Sequence, residues 1–190
     1  MSLDIVIGPM YAGKTSFIRQ TAERYAAINT PVYIINHSID TRYAYHEEDM
    51  ISAHKTGIRV GRIQSLRNVV MRSMIEDVEV VIVDEAQFFN GLREFALYVV
   101  EKLGKKLYLV GLSGDSDRGV FGELLDCIPL ADRVQTLSAF CEKCANGTPG
   151  IFTDRLAGAP SEYIHVGGKE SYRTLCRTCY LQEDAVKSCV

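Results

Sequence analysis

Near the start of the chain a short apolar, β-branched run breaks at a glycine, and five residues on a second glycine precedes Lys14-Thr15. Residues Leu3-Asp4-Ile5-Val6-Ile7 read as a buried strand ended by Gly8-Pro9. Residues 15–27 then carry Phe17, Ile18, Ala22, Tyr25 and Ala26 at helical spacing. Between strand and helix, Gly8-Pro9-Met10-Tyr11-Ala12-Gly13-Lys14-Thr15 fits the pattern G-x-x-x-x-G-K-[ST]. Few folds admit it. Glycines let successive backbone N–H groups turn inward around phosphates, and the following helix adds the positive end of its dipole. Lys14 is expected to reach the β- and γ-phosphates of a nucleotide, and the Thr15 hydroxyl to coordinate Mg²⁺. A chance Gly-Lys-Thr helix start is the alternative, and the strand–turn–helix context weighs against it.

The chain continues in the same alternation. Residues 31–35, 78–83 and 106–112 are further apolar strands, and residues 65–77 and 92–103 read as helices. Strands apolar throughout, alternating with helices, imply an α/β fold. The expectation is a RecA-like parallel sheet carrying a phosphate loop, with helices on both faces. The 190 residues are 47% hydrophobic and 24% charged, which suits a globular protein and excludes disorder. A net charge of −3 argues against a protein held to nucleic acid by phosphate neutralisation. No apolar run reaches the roughly 18 residues of a membrane span, and Met1-Ser2-Leu3-Asp4 is not a signal peptide, so a cytoplasmic protein is expected.

A phosphate loop needs a second strand that ends in an acid. Val80-Val81-Ile82-Val83 leads into Asp84 and Glu85. Alone, two carboxylates at a strand tip are more often simply solvated. Together with the loop, Asp84 is expected in the magnesium shell. Glu85, pointing the other way on an extended backbone, can take a proton from an attacking hydroxyl.

Near residue 138 the pattern changes to turn formers and paired cysteines. The division expected is a nucleotide-binding domain over residues 1–137 and a small zinc-binding domain over residues 138–190. Cys141 and Cys144, with Cys176 and Cys179, form two C-x-x-C pairs that suit a tetrahedral Cys₄ zinc site. The 31 residues between the pairs exceed the usual gap of about 15–20, so the pairs are expected to clamp the base of a long loop. A redox pair is the alternative, but neither pair opens a helix after a strand. Cys127 reads as an inert core thiol, and Cys189 is left over.

With these features assembled, nearly the whole chain resembles the type II thymidine kinases. The resemblance rests on Gly8-Pro9-Met10 with Gly13-Lys14-Thr15, on Asp40-Thr41-Arg42-Tyr43, and on Asp84-Glu85-Ala86-Gln87-Phe88-Phe89. It also rests on Tyr163-Ile164-His165-Val166-Gly167-Gly168, on Tyr172 and on both cysteine pairs. It implies ATP-dependent phosphorylation of the 5′-hydroxyl of thymidine, with Mg²⁺ and a structural zinc. It further implies a homotetramer, feedback inhibition by thymidine triphosphate, and neither a nucleic-acid nor a membrane partner. Glu85 would be the general base. ATP would be met by Gly8, Pro9, Met10, Tyr11, Ala12, Gly13, Lys14 and Thr15, by Asp40, Thr41 and Arg42, and by Asp84, Glu85, Ala86 and Gln87. Thymidine would be met by Met10, Phe88, Ser116, Phe121, Tyr172 and the loop residues Tyr163, Ile164, His165, Val166 and Gly167.

One block departs from the family. This chain reads Leu112-Ser113-Gly114-Asp115-Ser116-Asp117-Arg118 where the family usually has a stretch like Leu-Asp-Gly-Thr-Phe-Gln-Arg. Ser116 therefore stands where an aromatic usually helps hold the base. That face of the base is expected to lose contact, and Ser116→Phe to lower KM for thymidine; the competing possibility is that another residue such as Phe121 already covers it. Two other functions compete. The first is an ATPase or helicase-like motor, since Asp84-Glu85-Ala86-Gln87 resembles a D-E-x-x box, although 190 residues cannot hold two motor domains. The second is a nucleotide-gated zinc ribbon for nucleic acid, which six basic and six acidic residues beyond residue 137 disfavour.

Overall fold

Runs apolar on both faces can be buried only in a sheet covered on both sides, and that is how they assemble. The computed structural model describes residues 1–39, 57–156 and 167–187. Its main sheet contains β1 (Ser2–Gly8), β2 (Val32–His37), β3 (Ile58–Ile63), β4 (Val80–Val83), β5 (Lys106–Leu112) and β6 (Arg133–Thr136). Their order is β3-β2-β4-β5-β1-β6, and all pairings among these described strands are parallel. On one face α1 (Lys14–Ala26) packs Ile18, Ala22 and Ala26 against Val6, Ile34, Ile82 and Val110. On the other, α2 (Leu66–Met71) and α3 (Leu92–Leu97) bury Leu66, Val69, Leu92 and Phe95 against Ile5, Ile35, Val83 and Leu109. The expected parallel α/β sheet is present. β5 separates the loop-bearing strand from the acid-bearing strand, so the two tips lie about 10 Å apart.

Three local differences from the sequence expectations have physical causes. β3 and β6 were not expected, because at the edges of the described sheet they are largely exposed and carry residues such as Arg59 and Arg133. The helix expected over residues 65–77 stops at Met71. Ser73 adopts a left-handed φ of 51°, and the bonds Ser73 N–H to Val70 O and Met74 N–H to Val69 O close a Schellman turn. The helix expected over residues 92–103 is α-helical only to Leu97 and widens to a π turn over Tyr98–Lys102.

Beyond the sheet, β7 (Ala139–Phe140) pairs with β8 (Pro149–Gly150), and β9 (Phe152–Arg155) with β10 (Tyr172–Leu175), both antiparallel. The helix α4 (Arg177–Lys187) follows. Cys141, Leu175, Cys179 and Tyr180 form a separate small core with Phe152 beside it. Arg173 bridges Asp154 at 2.8 Å and Glu183 at 2.9 Å, and Lys143 meets Glu183 at 2.7 Å, tying α4 to the hairpin and the first cysteine pair. Among the described residues no helix is long and apolar enough to cross a membrane.

Candidate active site

The phosphate loop begins where β1 ends. Gly8 is boxed in, since a Cβ there would lie 2.8 Å from the Leu137 carbonyl oxygen. Tyr11 and Gly13 take left-handed φ values of 61° and 82°, which curl the loop onto α1. Lys14 is buried, and its Nζ donates to the carbonyls of Pro9 at 2.7 Å and Gly8 at 3.3 Å, so the amine lies across the loop. Thr15 follows in the first turn of α1. The Met10 N–H donates to Thr153 Oγ1 at 3.0 Å, so a buried threonine of β9 braces the loop from the cysteine-bearing region. Sequence reasoning missed Thr153, because its partner lies 143 residues away and no local pattern marks such a contact.

Asp84 and Glu85 stand at the tip of β4, and Asp84 is buried. The backbone at Glu85 is not the extended one expected. Glu85 N–H bonds to Asp84 Oδ1 at 2.8 Å, and Glu85 itself is left-handed, with φ 47° and ψ 45°. A non-glycine residue in that region marks a locally strained site, here at the acid assigned the proton-accepting role. The Glu85 carboxylate accepts from Gln87 Nε2 at 2.6 Å.

A divalent cation fits beside Asp84. Asn36 is buried, with its Oδ1 lacking a hydrogen-bond partner. Ile35 registers with Val83, so Asn36 and Asp84 come next on neighbouring strands, on the α1 face shared by Ile34 and Ile82. Two adjacent oxygen acceptors on one face are the kind of donor set that a hydrated Mg²⁺ takes.

Phe88 and Phe121 meet edge-to-face with ring centroids 5.4 Å apart, and His37 lies 5.8 Å from Phe88 and 4.6 Å from Phe89. Ser116 is buried, and its carbonyl accepts from the Tyr180 hydroxyl of α4 at 2.6 Å. The Arg118 guanidinium lies over the Tyr180 ring at 4.7 Å. Phe121, rather than Ser116, is the residue in ring contact with Phe88. Tyr172 is buried on β10 with Arg155 over its ring, and its N–H bonds to Gly168 O, beside buried Gly167. Asp40, Thr41, Arg42, Tyr163, Ile164, His165 and Val166 lie outside the described residues, as does Cys189.

The four paired cysteines converge, with their sulfurs all within 4.8 Å of one another. Cys144 Sγ is 3.8 Å from Cys176 Sγ and 3.5 Å from Cys179 Sγ. A disulfide would need about 2.05 Å, whereas a tetrahedral ion with Zn–S bonds of about 2.3 Å sets sulfurs about 3.8 Å apart. Burial opposes ionisation of Cys141, yet N–H groups of Cys176 and Cys144 draw its thiol down to about 6. Cys179 is pushed up to about 12 by its bond to Cys144 and by burial. Cys141 is thus favoured as a thiolate while Cys144 and Cys179 resist ionisation, a resistance that a dication at the centre would offset. Cys127 is fully buried and its thiol is raised to about 11 by desolvation, which leaves it the inert core residue expected.

A phosphate loop, an acid-tipped strand one strand beyond its neighbour, and a four-cysteine cluster define a phosphate-loop nucleotide-binding α/β protein with an appended metal-site region. Residues 1–180 match the family described as Thymidine kinase, and the chain belongs to that family. It is 32% identical over 180 residues to "Thymidine kinase" of Fowlpox virus, covering 94% of this chain and 96% of that protein. It is 29% identical over 184 residues to "Thymidine kinase, cytosolic" of Bos taurus, covering 95% and 72%. To "Thymidine kinase" of Oryza sativa it is 32% identical over 190 residues, covering 97% and 68%.

Proposed function

We propose that the protein transfers the terminal phosphoryl group of ATP to the 5′-hydroxyl of thymidine. The observation that carries this reading is the juxtaposition, about 10 Å apart on one sheet edge, of the phosphate loop and the Asp84–Glu85 tip. The loop N–H groups and Lys14 hold the phosphates. Glu85 takes the hydroxyl proton as the 5′-oxygen bonds to the γ-phosphorus and the bond to the β-phosphate oxygen breaks, releasing ADP. Thr15 and Asp84, with Asn36 alongside, would hold Mg²⁺, which when bound neutralises charge on the β- and γ-oxygens. Phe88 and Phe121 offer an aromatic wall for the base, and the cysteine cluster would hold zinc and so anchor the loop that carries Tyr163 to Gly167. The separate core around Cys141 supports division into domains near residues 137 and 138.

Feedback inhibition by thymidine triphosphate follows chemically, since one molecule carries both the base for the aromatic wall and the triphosphate for the loop. A homotetramer and a cytoplasmic location belong to the same reading, and sedimentation tests the first. Glu85→Gln keeps shape and removes the proton acceptor, so kcat is expected to fall by roughly 10²–10⁴ with nucleotide binding intact. A near-normal kcat would remove Glu85 from this role. ATP turnover stimulated by DNA or RNA, and indifferent to nucleosides, would favour a motor instead.

A further inference from the structure

We propose that Gln87 is a positioning residue for phosphoryl transfer: its side-chain amide fixes the Glu85 carboxylate and keys it to the strand beside the phosphate loop. This rests on Glu85 being the base. Gln87 is 3% exposed and sits on a single 3₁₀ turn, Ala86–Phe88, that follows Glu85. The orientation of its amide is settled by its partners. Leu112 N–H can only donate, so the amide atom 3.1 Å from it is the oxygen. The nitrogen therefore faces Glu85 and donates to Oε2 at 2.6 Å.

Leu112 ends β5 and registers with Gly8, the first residue of the phosphate loop. A continuous path thus runs from the loop strand through Leu112 and Gln87 to the carboxylate. The base is held in register with the phosphates it must serve, although β4 and β1 are not neighbours in the sheet. Two glycines keep room for this residue. A Cβ on Gly111 would collide with the Gln87 side-chain oxygen, and one on Gly122, at φ 63°, with the Gln87 carbonyl. Without the amide, Glu85 would lose the donor that meets its Oε2 at 2.6 Å, and its carboxylate would be held less firmly in this rotamer.

The test is steady-state kinetics of Gln87→Met, which keeps length and removes both polar ends. The expected result is a kcat about 10- to 100-fold lower, with KM for ATP and for thymidine within about twofold of the unchanged protein. Because Gln87 acts through Glu85, adding Gln87→Met to Glu85→Gln should change kcat by less than about twofold. Full multiplication of the two effects would overturn the proposal, as would a raised KM for ATP with kcat unchanged. Should Gln87→Met fail to fold, Gln87→Glu keeps an oxygen for Leu112 N–H and replaces the donor toward Glu85 with a second carboxylate, whose charge opposes the first. It is expected to lose at least as much kcat with KM held, and an unchanged kcat would overturn the proposal. Glu85→Gln measured alone separates the two failures, since a near-normal rate there overturns the base assignment itself.

Discussion

Ser116→Phe would place a ring where the family resemblance implies one, and, against the gain in thymidine binding expected from the sequence, the packing around Ser116 points to harm. Ser116 retains only 9% of its surface, and its carbonyl is held by the Tyr180 hydroxyl at 2.6 Å. The loop around it is stiff, because the Asp115 carboxylate accepts from Asp117 N–H at 2.9 Å and from Gly119 N–H at 2.6 Å. A ring forced into such a site overpacks it by about 1–3 kcal/mol. For a chain of this length about 2 kcal/mol corresponds to a Tm loss on the order of 5 °C. The strain runs along the same loop to Phe121, whose edge-to-face contact with Phe88 spans 5.4 Å. Aromatic pairs of this kind contribute about 0.5–1.5 kcal/mol, so losing the alignment raises KM for thymidine about two- to tenfold. The base lies away from the transferred phosphoryl group, so the weakening is uniform and kcat stays nearly constant. Differential scanning calorimetry and nucleoside-saturation kinetics on the one variant measure both quantities. An unchanged Tm with a several-fold lower KM would show that Ser116 faces the base across open space, and would refute the assignment of the wall to Phe121.

Two further outcomes follow from the metal cluster and the buried phenol. Protein purified without chelators should carry about one zinc per chain, and Cys144→Ser should lose that zinc and lower Tm, as metal analysis and calorimetry would show. Burial first, and then the bond to the Tyr25 hydroxyl, push the Tyr108 phenol from 10.0 to about 12. The fold thus favours the neutral form; its contribution is complete below pH 10 and is lost as pH rises toward 12, so Tm should drop more steeply across that window than in Tyr108→Phe.

What the sequence disclosed depended on whether the physics was local. The strands β1, β4 and β5 were legible because their residues are apolar on both faces, and the phosphate loop because phosphate chemistry dictates its residue types and spacing. The cysteine set was legible for the same reason, since a tetrahedral metal admits few ligand patterns. The edge strands were hidden by their solvent-facing arginines, Arg59 and Arg133. The left-handed turn at Glu85 goes with the bond from its N–H to Asp84 Oδ1, and propensity alone places an acid after four β-branched residues in extended backbone. Contacts such as Met10 with Thr153, or Ser116 with Tyr180, join residues 143 and 64 positions apart and leave no mark in either local segment.

The central claim is nucleoside-specific phosphoryl transfer. It is tested most directly by incubating the purified protein with ATP, Mg²⁺ and thymidine, alongside deoxycytidine and deoxyguanosine, and measuring the monophosphates formed. The account predicts thymidine 5′-monophosphate with one ADP released per product, and far slower reaction with deoxyguanosine. Zinc-replete protein that forms no thymidine monophosphate, or that hydrolyses ATP at the same rate with and without nucleoside, would contradict it.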